Sequence, residues 1–375
     1  TGGLNAMIVD STALPEQAVQ SIIESAFQSA GQRCSALRCL YVQEDVADDV
    51  LKMLKGAMNL LRLGDPWQLS TDSGPVIDEP ARAGIAEHIA KARAEGRVLK
   101  DLSVPQGGTF VAPTLIEIPG IAALEREIFG PVLHVVRFKA RDLDRVIDDI
   151  NATGYGLTFG LHTRIDDRVQ HVTERVHAGN IYVNRNQIGA IVGSQPFGGE
   201  GLSGTGPKAG GPHYMARFCR PDRQQTEAAW DKTTATLPAP QGTDAAPQTL
   251  SLPGPTGESN RLSQIARAPL LCLGPGGQAV QAQVQAVQAL GGRAIAASAM
   301  IDLHRLEHLP GIGGVLWWGD ADTARRIEQA LARRDGPILP LIPGLPDIAR
   351  VRGERHVCVD TTAAGGNAAL LGGMD

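Results

Sequence analysis

Apolar residues recur at helical spacing along several stretches of the chain. In the segment 15–29, Val19, Ile22 and Phe27 fall on one face of a helix, and Pro15 is compatible with its first turn. The same spacing predicts helices at 44–62, 79–95, 142–151 and 166–176. Apolar runs typical of buried strands predict strands at 38–43, 133–138, 160–163 and 179–184. Strands that alternate with helices indicate an α/β fold.

The pattern breaks after Pro221, where Gln, Thr, Ala and Pro dominate and apolar periodicity is lost. Residues 222–260 are therefore predicted to form a linker or an extended arm between two domains, at 1–221 and 261–375. In the second domain, strands are predicted at 270–273, 293–297 and 315–318 and helices at 278–290 and 321–334. We expect a second, smaller α/β domain there.

The composition is that of a soluble globular protein. Of the 375 residues, 43% are hydrophobic and 20% are charged, and a chain of this length usually forms two domains. The 35 basic residues are interspersed with 40 acidic ones, so we expect no nucleic-acid binding by this segment. No run reaches the roughly 20 apolar residues needed to cross a bilayer, so no transmembrane segment is predicted and a cytoplasmic location is expected.

The chain has five cysteines, at Cys34, Cys39, Cys219, Cys272 and Cys358. Their odd number and the lack of a CxxC pair argue against a disulfide framework and against a zinc site. Cys34 lies beside Arg33 in a glycine-containing turn, where a neighbouring cation would activate a thiol. A lone cysteine is more often a small buried apolar residue, and the local pattern alone favours that interpretation.

Motifs in a fixed order over residues 1–220 outweigh that interpretation, because together they resemble the aldehyde dehydrogenase superfamily. They are TGGLNA at 1–6, GQRCS at 31–35, GDP at 64–66 with GPVI at 74–77, EIFGPV at 127–132, and PFGG at 196–199 with SG at 203–204. The resemblance implies an aldehyde dehydrogenase catalytic domain in which Cys34 is the nucleophile. Its thiolate would attack the aldehyde carbon, hydride would leave to NAD, and water would hydrolyse the thioester.

Two residues of the EIFGPV motif are implied to bind the cofactor. Glu127 matches the residue that holds the hydroxyls of the nicotinamide ribose, and Phe129 matches the ring that packs against the nicotinamide. Taken alone, Glu127 would be interpreted as a solvated charge and Phe129 as a core aromatic residue. The intact motif favours the cofactor roles.

The segment QIGAIVG at 187–193 resembles the aldehyde-anchor loop of the glutamate semialdehyde dehydrogenase branch. In that branch backbone N–H groups of the loop grip the substrate carboxylate, which implies this role for Gly189 and Ala190. The resemblance also implies that the Ser35 hydroxyl binds that carboxylate and that Phe197 packs against the aliphatic chain. An acidic aldehyde is therefore expected, whereas the segment by itself would predict only a tight turn.

Three further segments, at 206–214, 252–260 and 361–368, resemble the proline utilization A family. In that family the dehydrogenase is fused behind an FAD-dependent proline dehydrogenase, so upstream domains of the same polypeptide and a homo-oligomer are the implied partners. The carboxyl-terminal domain is implied to have a Rossmann-like core and a closing tail that covers a tunnel between two active sites. Peripheral association of the full-length protein with the inner membrane is an alternative to a purely cytoplasmic location.

The family's general base is a Glu immediately before the TGG motif, a position that would precede Thr1. Its NAD-binding domain and the Asn of its oxyanion hole also precede this point. We therefore expect a fragment of an active enzyme that is inactive alone. An alternative is that the segment serves mainly in oligomerisation and tunnel closure, through residues 200–221, 222–260 and 357–375.

Two other motifs are interpreted as structural. Residues 274–279 match the G-x-G-x-x-A dinucleotide pattern, but Pro275 removes a backbone donor and no acidic residue ends the next predicted strand. Residues 304–308 match H-x-x-E-H, but Pro310 would end a helix almost at once. Surface histidines are therefore expected there, and no metal site.

Overall fold

The computed structural model describes residues 2–219, 224, 226, 228, 230 and 235–362. Most of the predicted linker up to residue 234 and the predicted closing tail from residue 363 lie outside the described residues. The chain divides into two compact units. The first unit comprises residues 1–190, 252–260 and 357–375, and the second comprises residues 191–251 and 261–356. The domain boundaries predicted at 221 and 260 stay predictions.

The helices are α1 (Pro15–Phe27), α2 (Glu44–Met58), α3 (Glu79–Ala94), α4 (Leu143–Ala152), α5 (Asp166–Arg175), α6 (Gly276–Ala289), α7 (Leu303–His308), α8 (Ala321–Ala332) and α9 (Ile348–Val351). The strands are β1 (Ala6–Val9), β2 (Cys39–Gln43), β3 (Val98–Asp101), β4 (Thr114–Glu117), β5 (Val132–Phe138), β6 (Tyr155–Gly156), β7 (Thr158–His162), β8 (Asn180–Val183), β9 (Glu200–Gly201), β10 (Gln248–Leu252), β11 (Glu258–Ile265), β12 (Leu270–Cys272), β13 (Ala294–Ala296), β14 (Gly314–Leu316), β15 (Leu341–Ile342) and β16 (Gly353–Asp360).

Each helix and strand predicted from the pattern is present, with ends that differ by a few residues. The largest difference is at α2, which ends at Met58 and not at residue 62. Leu60, which extends the apolar pattern, is 79% exposed and therefore gains nothing from a longer helix. The pattern did not predict β1, β3, β4, β10, β11, β15 or β16, nor the short elements β6, β9, α7 and α9. Strand β10 and the start of β11 fall in the segment predicted as a linker or extended arm.

The larger sheet, as far as the structure describes it, has the strand order β10-β11-β16-β8-β7-β1-β2-β5-β4-β3. Its centre is parallel: β1 pairs with β2 and β7, and β2 pairs with β5. Parallel neighbours have their amino ends at the same edge of the sheet. Because the TGGLNA, GQRCS and EIFGPV motifs lead into β1, β2 and β5 respectively, this topology brings all three motifs to one edge.

The side chains of the central strands alternate between two apolar cores. Ala6 and Ile8 of β1 belong to a core with residues of α3, α4 and α5. Met7 and Val9 belong to a core with residues of α1 and α2. Burial on both faces explains why these strands are continuous apolar runs and not polar-apolar alternations.

The second unit contains a smaller parallel sheet with the strand order β13-β12-β14-β15. Helix α6 follows β12 and buries Val280, Val284 and Val287 in one of its cores. The strand order reverses on either side of β12, as in doubly wound folds. This is the smaller Rossmann-like α/β fold expected for the carboxyl-terminal part.

His134 is a buried histidine of β5 that couples two parts of the first unit. Its Nδ1 lies 3.0 Å from the carbonyl oxygen of Arg38, and its Nε2 lies 2.9 Å from Nε2 of His88. Burial lowers the pKa of His134 to about 3. The folded protein therefore holds this imidazole in its neutral form, in which Nδ1–H donates to the Arg38 carbonyl.

We expect His134 to make the protein sensitive to acid. As the pH falls below about 6.5, the unfolded chain binds a proton that the folded state excludes, so the free energy of unfolding decreases until the pH reaches the folded pKa. His134 alone should cost about 2 kcal/mol between pH 7 and pH 5. Urea unfolding at the two pH values measures this. The non-titrating His134→Asn variant should lose less stability over the same interval, and an equal loss would contradict the assignment.

Candidate active site

A left-handed turn precedes the predicted nucleophile. Ser29, Ala30 and Gly31 have φ angles of 57°, 53° and 65°, directly after α1. The left-handed region is costly for Ser and Ala, at about 1 kcal/mol or more each, and such strain persists where the surrounding structure enforces it. At Gly31 a Cβ atom would lie 2.2 Å from the carbonyl oxygen of Gly130. The chain thus approaches the EIFGPV segment as closely as glycine allows.

Cys34 lies just after this turn and is half-buried. Its carbonyl oxygen accepts a hydrogen bond of 2.7 Å from Nδ2 of Asn5, which also donates to the Ala36 carbonyl at 2.9 Å. Oδ1 of Asn5 in turn accepts from the N–H of Thr158 at 3.2 Å. The buried Asn5 amide therefore fixes the backbone on the carboxyl side of Cys34.

The other thiols have different surroundings. Cys39, Cys272 and Cys358 are buried. Burial raises the pKa of the Cys39 thiol, and it raises the pKa values of Cys272 and Cys358 to about 12. These three thiols are therefore poor nucleophiles at neutral pH. Cys219 is exposed, so Cys34 and Cys219 are the thiols that a reagent in solution would reach first.

Arg38 is a buried guanidinium immediately before β2, with its side chain 1% exposed. Its nitrogens donate to the carbonyl oxygens of Gly31 at 2.7 Å, Arg33 at 3.1 Å and Gly130 at 3.3 Å. Nε and Nη2 both donate to Oε1 of Glu127, at 3.1 and 3.0 Å. Burial lowers the pKa of Arg38, whereas the Glu127 carboxylate acts in the opposite direction and favours the charged form.

Glu127 links this guanidinium to the first motif. Its Oε2 accepts a hydrogen bond of 3.2 Å from the N–H of Gly3, while Oε1 binds Arg38. The ring of Phe129 lies 5.0 Å from the Arg38 guanidinium carbon and is 44% exposed. Glu127 is thus ion-paired and not a free solvated charge, and Phe129 is not a core residue. Residues of all three motifs meet at Arg38.

The predicted anchor loop is held against the nucleophile segment. Gln187 is fully buried, and its Nε2 donates to the Ser35 carbonyl at 3.4 Å. The Tyr182 hydroxyl donates to the Gly189 carbonyl at 2.5 Å. Gly189 is half-buried, Ala190 is exposed and Ser35 is buried. The structure therefore brings Cys34, Ser35 and the start of the loop together within the first unit.

Phe197 belongs to the second unit and is half-buried. Its N–H donates to the Ala209 carbonyl at 2.9 Å, and the Nζ of the buried Lys208 donates to the carbonyl of Gly198. Burial lowers the pKa of Lys208 to about 7. These bonds fix the PFGG segment, but the contact of Phe197 with a substrate chain stays a prediction.

Asn5, Arg38 and Gln187 were not predicted to have a role, although these three side chains organise the site. Arg38 left a recognisable signal, because it begins an apolar run whose other members are buried. A charge buried in such a position requires a partner of opposite charge. Asn5 and Gln187 carried no comparable signal, since short polar residues next to turns are common.

The first glycine of the segment at 274–279 is hydrogen-bonded to a side chain of α6. The N–H of Gly274 donates to Oε1 of Gln283 at 3.0 Å, and Nε2 of Gln283 donates back to the Gly274 carbonyl at 3.0 Å. The backbone N–H and carbonyl of this first glycine are therefore both satisfied within the protein. This supports the structural interpretation of the motif.

The H-x-x-E-H motif lies on α7 in the second unit. Ligand atoms of His304, Glu307 and His308 lie within 4.8 Å of one another. Both histidines are exposed, and Oε1 of Glu307 accepts a hydrogen bond of 2.7 Å from Nε of Arg333. The carboxylate thus serves an ion pair, and the absence of a metal role stays a prediction. Among the described residues, no helix combines the length and the apolarity that crossing a bilayer requires.

Comparisons with known proteins point to one family. The model of the aldehyde dehydrogenase family matches residues 1–222. The bifunctional protein PutA of Salmonella typhimurium is 44% identical over 434 aligned residues, which cover 99% of this chain and 33% of that protein. A 1-pyrroline-5-carboxylate dehydrogenase of Geobacillus sp. is 42% identical over 217 residues, which cover 57% of this chain and 42% of that protein. The chain thus spans about a third of the length of the PutA relatives.

Solved structures agree with this result. A mutant proline utilization A of Bradyrhizobium japonicum superposes with a TM-score of 0.57 at 57% identity, over 58% of this chain and 22% of that one. A 1-pyrroline-5-carboxylate dehydrogenase from Thermus with bound NAD superposes with a TM-score of 0.54 at 34% identity, over 58% of this chain and 42% of that one. Since the family model matches more than half of the sequence and the motif residues meet at one edge of the sheet, the chain belongs to the aldehyde dehydrogenase family.

Proposed function

We propose that this chain is the nucleophile-bearing part of a bifunctional enzyme that oxidises L-glutamate γ-semialdehyde to L-glutamate with NAD, through a thioester on Cys34, as the second step of proline catabolism. The segment alone is expected to be inactive. The observation that carries the proposal is the network in which Arg38 and Glu127 join the three family motifs. Relatives named PutA and 1-pyrroline-5-carboxylate dehydrogenase support the substrate, because hydrolysis of the cyclic imine 1-pyrroline-5-carboxylate gives glutamate semialdehyde.

Cys34 supplies the nucleophile of the proposed reaction. Its thiolate forms a bond to the aldehyde carbon, and the carbonyl oxygen becomes an oxyanion to which the Cys34 N–H donates a hydrogen bond. When the oxyanion collapses, hydride leaves and a thioester remains. Water then attacks the thioester, which releases the carboxylic acid and regenerates the thiol. The base that activates this water is the Glu expected upstream of Thr1.

Glu127 and Phe129 are proposed to hold the nicotinamide end of NAD, which accepts the hydride when bound. The chemistry of both side chains supports this. A carboxylate accepts hydrogen bonds from the two hydroxyls of a ribose, and the Gly3 N–H orients Oε2 of Glu127 by donating to it. Phe129 presents a ring that is 44% exposed, which a flat heteroaromatic ring would cover.

The substrate carboxylate is proposed to bind the Ser35 hydroxyl and the N–H groups of Gly189 and Ala190. The contact between Gln187 and the Ser35 carbonyl supports this assignment, since it keeps the loop beside the nucleophile segment. Phe197 is assigned to the aliphatic chain on its motif alone. The assignment selects aldehydes that carry a carboxylate at the far end of the chain.

The remaining family properties extend the proposal to the whole polypeptide. We propose an FAD-dependent proline dehydrogenase upstream, a homo-oligomer as the assembly, and a catalytic domain at 1–221 that is followed by an arm at 222–260 and an accessory domain at 261–375. The relatives' length supports further domains, because the aligned region covers 33% of PutA. An accessory role in tunnel closure for the second half is compatible with catalysis by the first.

The test measures NADH formation by the full-length protein from glutamate semialdehyde and from pentanal, an apolar aldehyde of equal chain length. We expect the semialdehyde to be preferred, and Ser35→Ala to raise its KM about tenfold, because one hydrogen bond to a charged group is worth about 1.5–3 kcal/mol. The KM for pentanal should not change. Equal effects on both aldehydes would contradict the assigned carboxylate site, and oxidation of pentanal alone would contradict the substrate.

A further inference from the structure

Arg38 contacts both the peptide before the nucleophile Cys34 and the proposed cofactor carboxylate of Glu127, although no step of the proposed mechanism uses it. We propose that Arg38 is a positioning residue that couples the ribose-binding carboxylate of Glu127 to the oxyanion-stabilising N–H of Cys34. The inference rests on the proposed function and adds a residue to it. It depends on two sets of hydrogen bonds made by one guanidinium.

The first set fixes the peptide bond that precedes the nucleophile. Nη2 of Arg38 donates to the carbonyl oxygen of Arg33 at 3.1 Å. This carbonyl and the Cys34 N–H belong to the same planar peptide unit, in which the trans geometry directs them to opposite sides. When Arg38 holds the carbonyl on one side, the Cys34 N–H must point to the other. The direction of the expected oxyanion donor is thus set by Arg38.

The same side chain also supports the turn that leads to this peptide. Nη1 donates to the carbonyl of Gly31 at 2.7 Å. Gly31 is the last of three consecutive residues with a left-handed backbone. Nη1 also donates to the carbonyl of Gly130, at 3.3 Å. These bonds oppose relaxation of a strained turn, so that the peptide before Cys34 is held from both ends.

The second set orients the cofactor carboxylate. Nε and Nη2 converge on Oε1 of Glu127, and the Gly3 N–H donates to Oε2. With both oxygens engaged, the carboxylate is held in one orientation, in which it can accept hydrogen bonds from a ribose diol. The guanidinium also lies 5.0 Å from the centre of the Phe129 ring, the proposed nicotinamide platform.

A lysine cannot reproduce this arrangement. The guanidinium is planar and directs its five N–H donors in fixed directions, here to three carbonyl oxygens and one carboxylate. An ammonium group has three donors on a single nitrogen and would keep the charge beside Glu127 while losing most of the carbonyl contacts. Arg38→Lys therefore separates the charge of Arg38 from its geometry.

Two reactions of the full-length protein test the coupling. NAD-dependent aldehyde oxidation needs both Glu127 and the Cys34 N–H, whereas hydrolysis of p-nitrophenyl acetate without NAD forms an acyl-Cys34 and needs the N–H alone. We expect Arg38→Lys to lower aldehyde oxidation by at least 100-fold and to lower ester hydrolysis by 10-fold or more. The matched variant Glu127→Gln should lower aldehyde oxidation and raise the KM for NAD, and it should lower ester hydrolysis by a smaller factor than Arg38→Lys does.

Arg38→Lys with normal ester hydrolysis would overturn the proposal, because Arg38 would then act through Glu127 alone. Melting temperature and alkylation of Cys34 by iodoacetamide report whether each variant is folded. If Arg38→Lys does not fold, the double variant of Arg38→Met with Glu127→Gln removes both charges of the ion pair together. Its ester hydrolysis should fall well below that of Glu127→Gln, and equal rates would again overturn the coupling.

The test of Arg38 does not depend on which aldehyde is the substrate. A wild type that oxidises other aldehydes but not glutamate semialdehyde would contradict the substrate assignment, and the variants would then be compared on the aldehyde that it does oxidise. Ester hydrolysis needs neither NAD nor this substrate, so its dependence on Arg38 supports or refutes the oxyanion half of the coupling in every case.

Discussion

Cys34→Ala is expected to abolish NAD-dependent aldehyde oxidation by the full-length protein, with a fall in kcat of about 10⁴-fold or more, because no thioester can form without the thiol. Stability should change little, since Cys34 is half-buried and its backbone is held through its carbonyl oxygen by Asn5. The measurement is NADH formation, with the melting temperature as the control for folding. Retained dehydrogenase activity in a folded variant would refute the assignment of the nucleophile.

Thiol labelling provides an independent check, and the structure defines its design. Because Cys219 is exposed, labelling of the wild type would not report on Cys34 alone. The experiment should therefore use a Cys219→Ser background, in which the remaining thiols other than Cys34 are buried. Fast incorporation of one iodoacetamide group, lost in Cys34→Ala, supports a reactive thiol. Slow labelling at every cysteine would favour a structural role for the segment.

Gly31→Ala is expected to lower the free energy of unfolding by about 3 kcal/mol or more. Alanine at φ 65° costs about 1 kcal/mol, and the added Cβ would lie 2.2 Å from the carbonyl oxygen of Gly130 and 2.9 Å from that of Ala26. Both obstacles are backbone atoms, so relief requires the turn to move away from the EIFGPV segment. Urea unfolding measures the loss.

Gly96→Ala is the matched control. Gly96 has a similar φ of 71°, but its added Cβ would meet nothing within 4 Å, so the substitution should cost about 1 kcal/mol. The difference between the two variants isolates the close approach at Gly31 from the backbone preference of glycine. We also expect Gly31→Ala to slow the alkylation of Cys34. Equal stability losses in the two variants would show that the turn can adjust without cost.

The helices and strands that the sequence predicted are those with strong periodicity or long apolar runs. Helix α1 is an example, because Pro15 marks its start and its buried residues recur at helical spacing. Strand β1 was missed because it is four residues long and follows a glycine-rich motif, so nothing local distinguishes it from a turn. It is stabilised by its pairing with β2 and β7, which lie far along the chain.

The site residues that belong to a recognisable motif were predicted, whereas those that depend on contacts with distant parts of the chain were missed. Cys34 and Glu127 lie in motifs that are recognisable alone, but Arg38 binds a carboxylate 89 residues away, which no local pattern encodes. The left-handed conformation of Ser29 and Ala30 was also unpredictable, since neither residue is glycine. The turn that contains them ends at Gly31, which is held by a hydrogen bond from Arg38 and approaches Gly130 closely.

The three motifs lie at the amino ends of β1, β2 and β5, and this placement also affects when the site forms during folding. These strands are neighbours in the sheet but are separated by long stretches of chain, so their pairing requires the closure of large loops and is slow compared with helix formation. The Arg38–Glu127 pair cannot form before β2 and β5 have paired in register. We therefore expect the rate at which Cys34 is alkylated during refolding to report when the central sheet assembles.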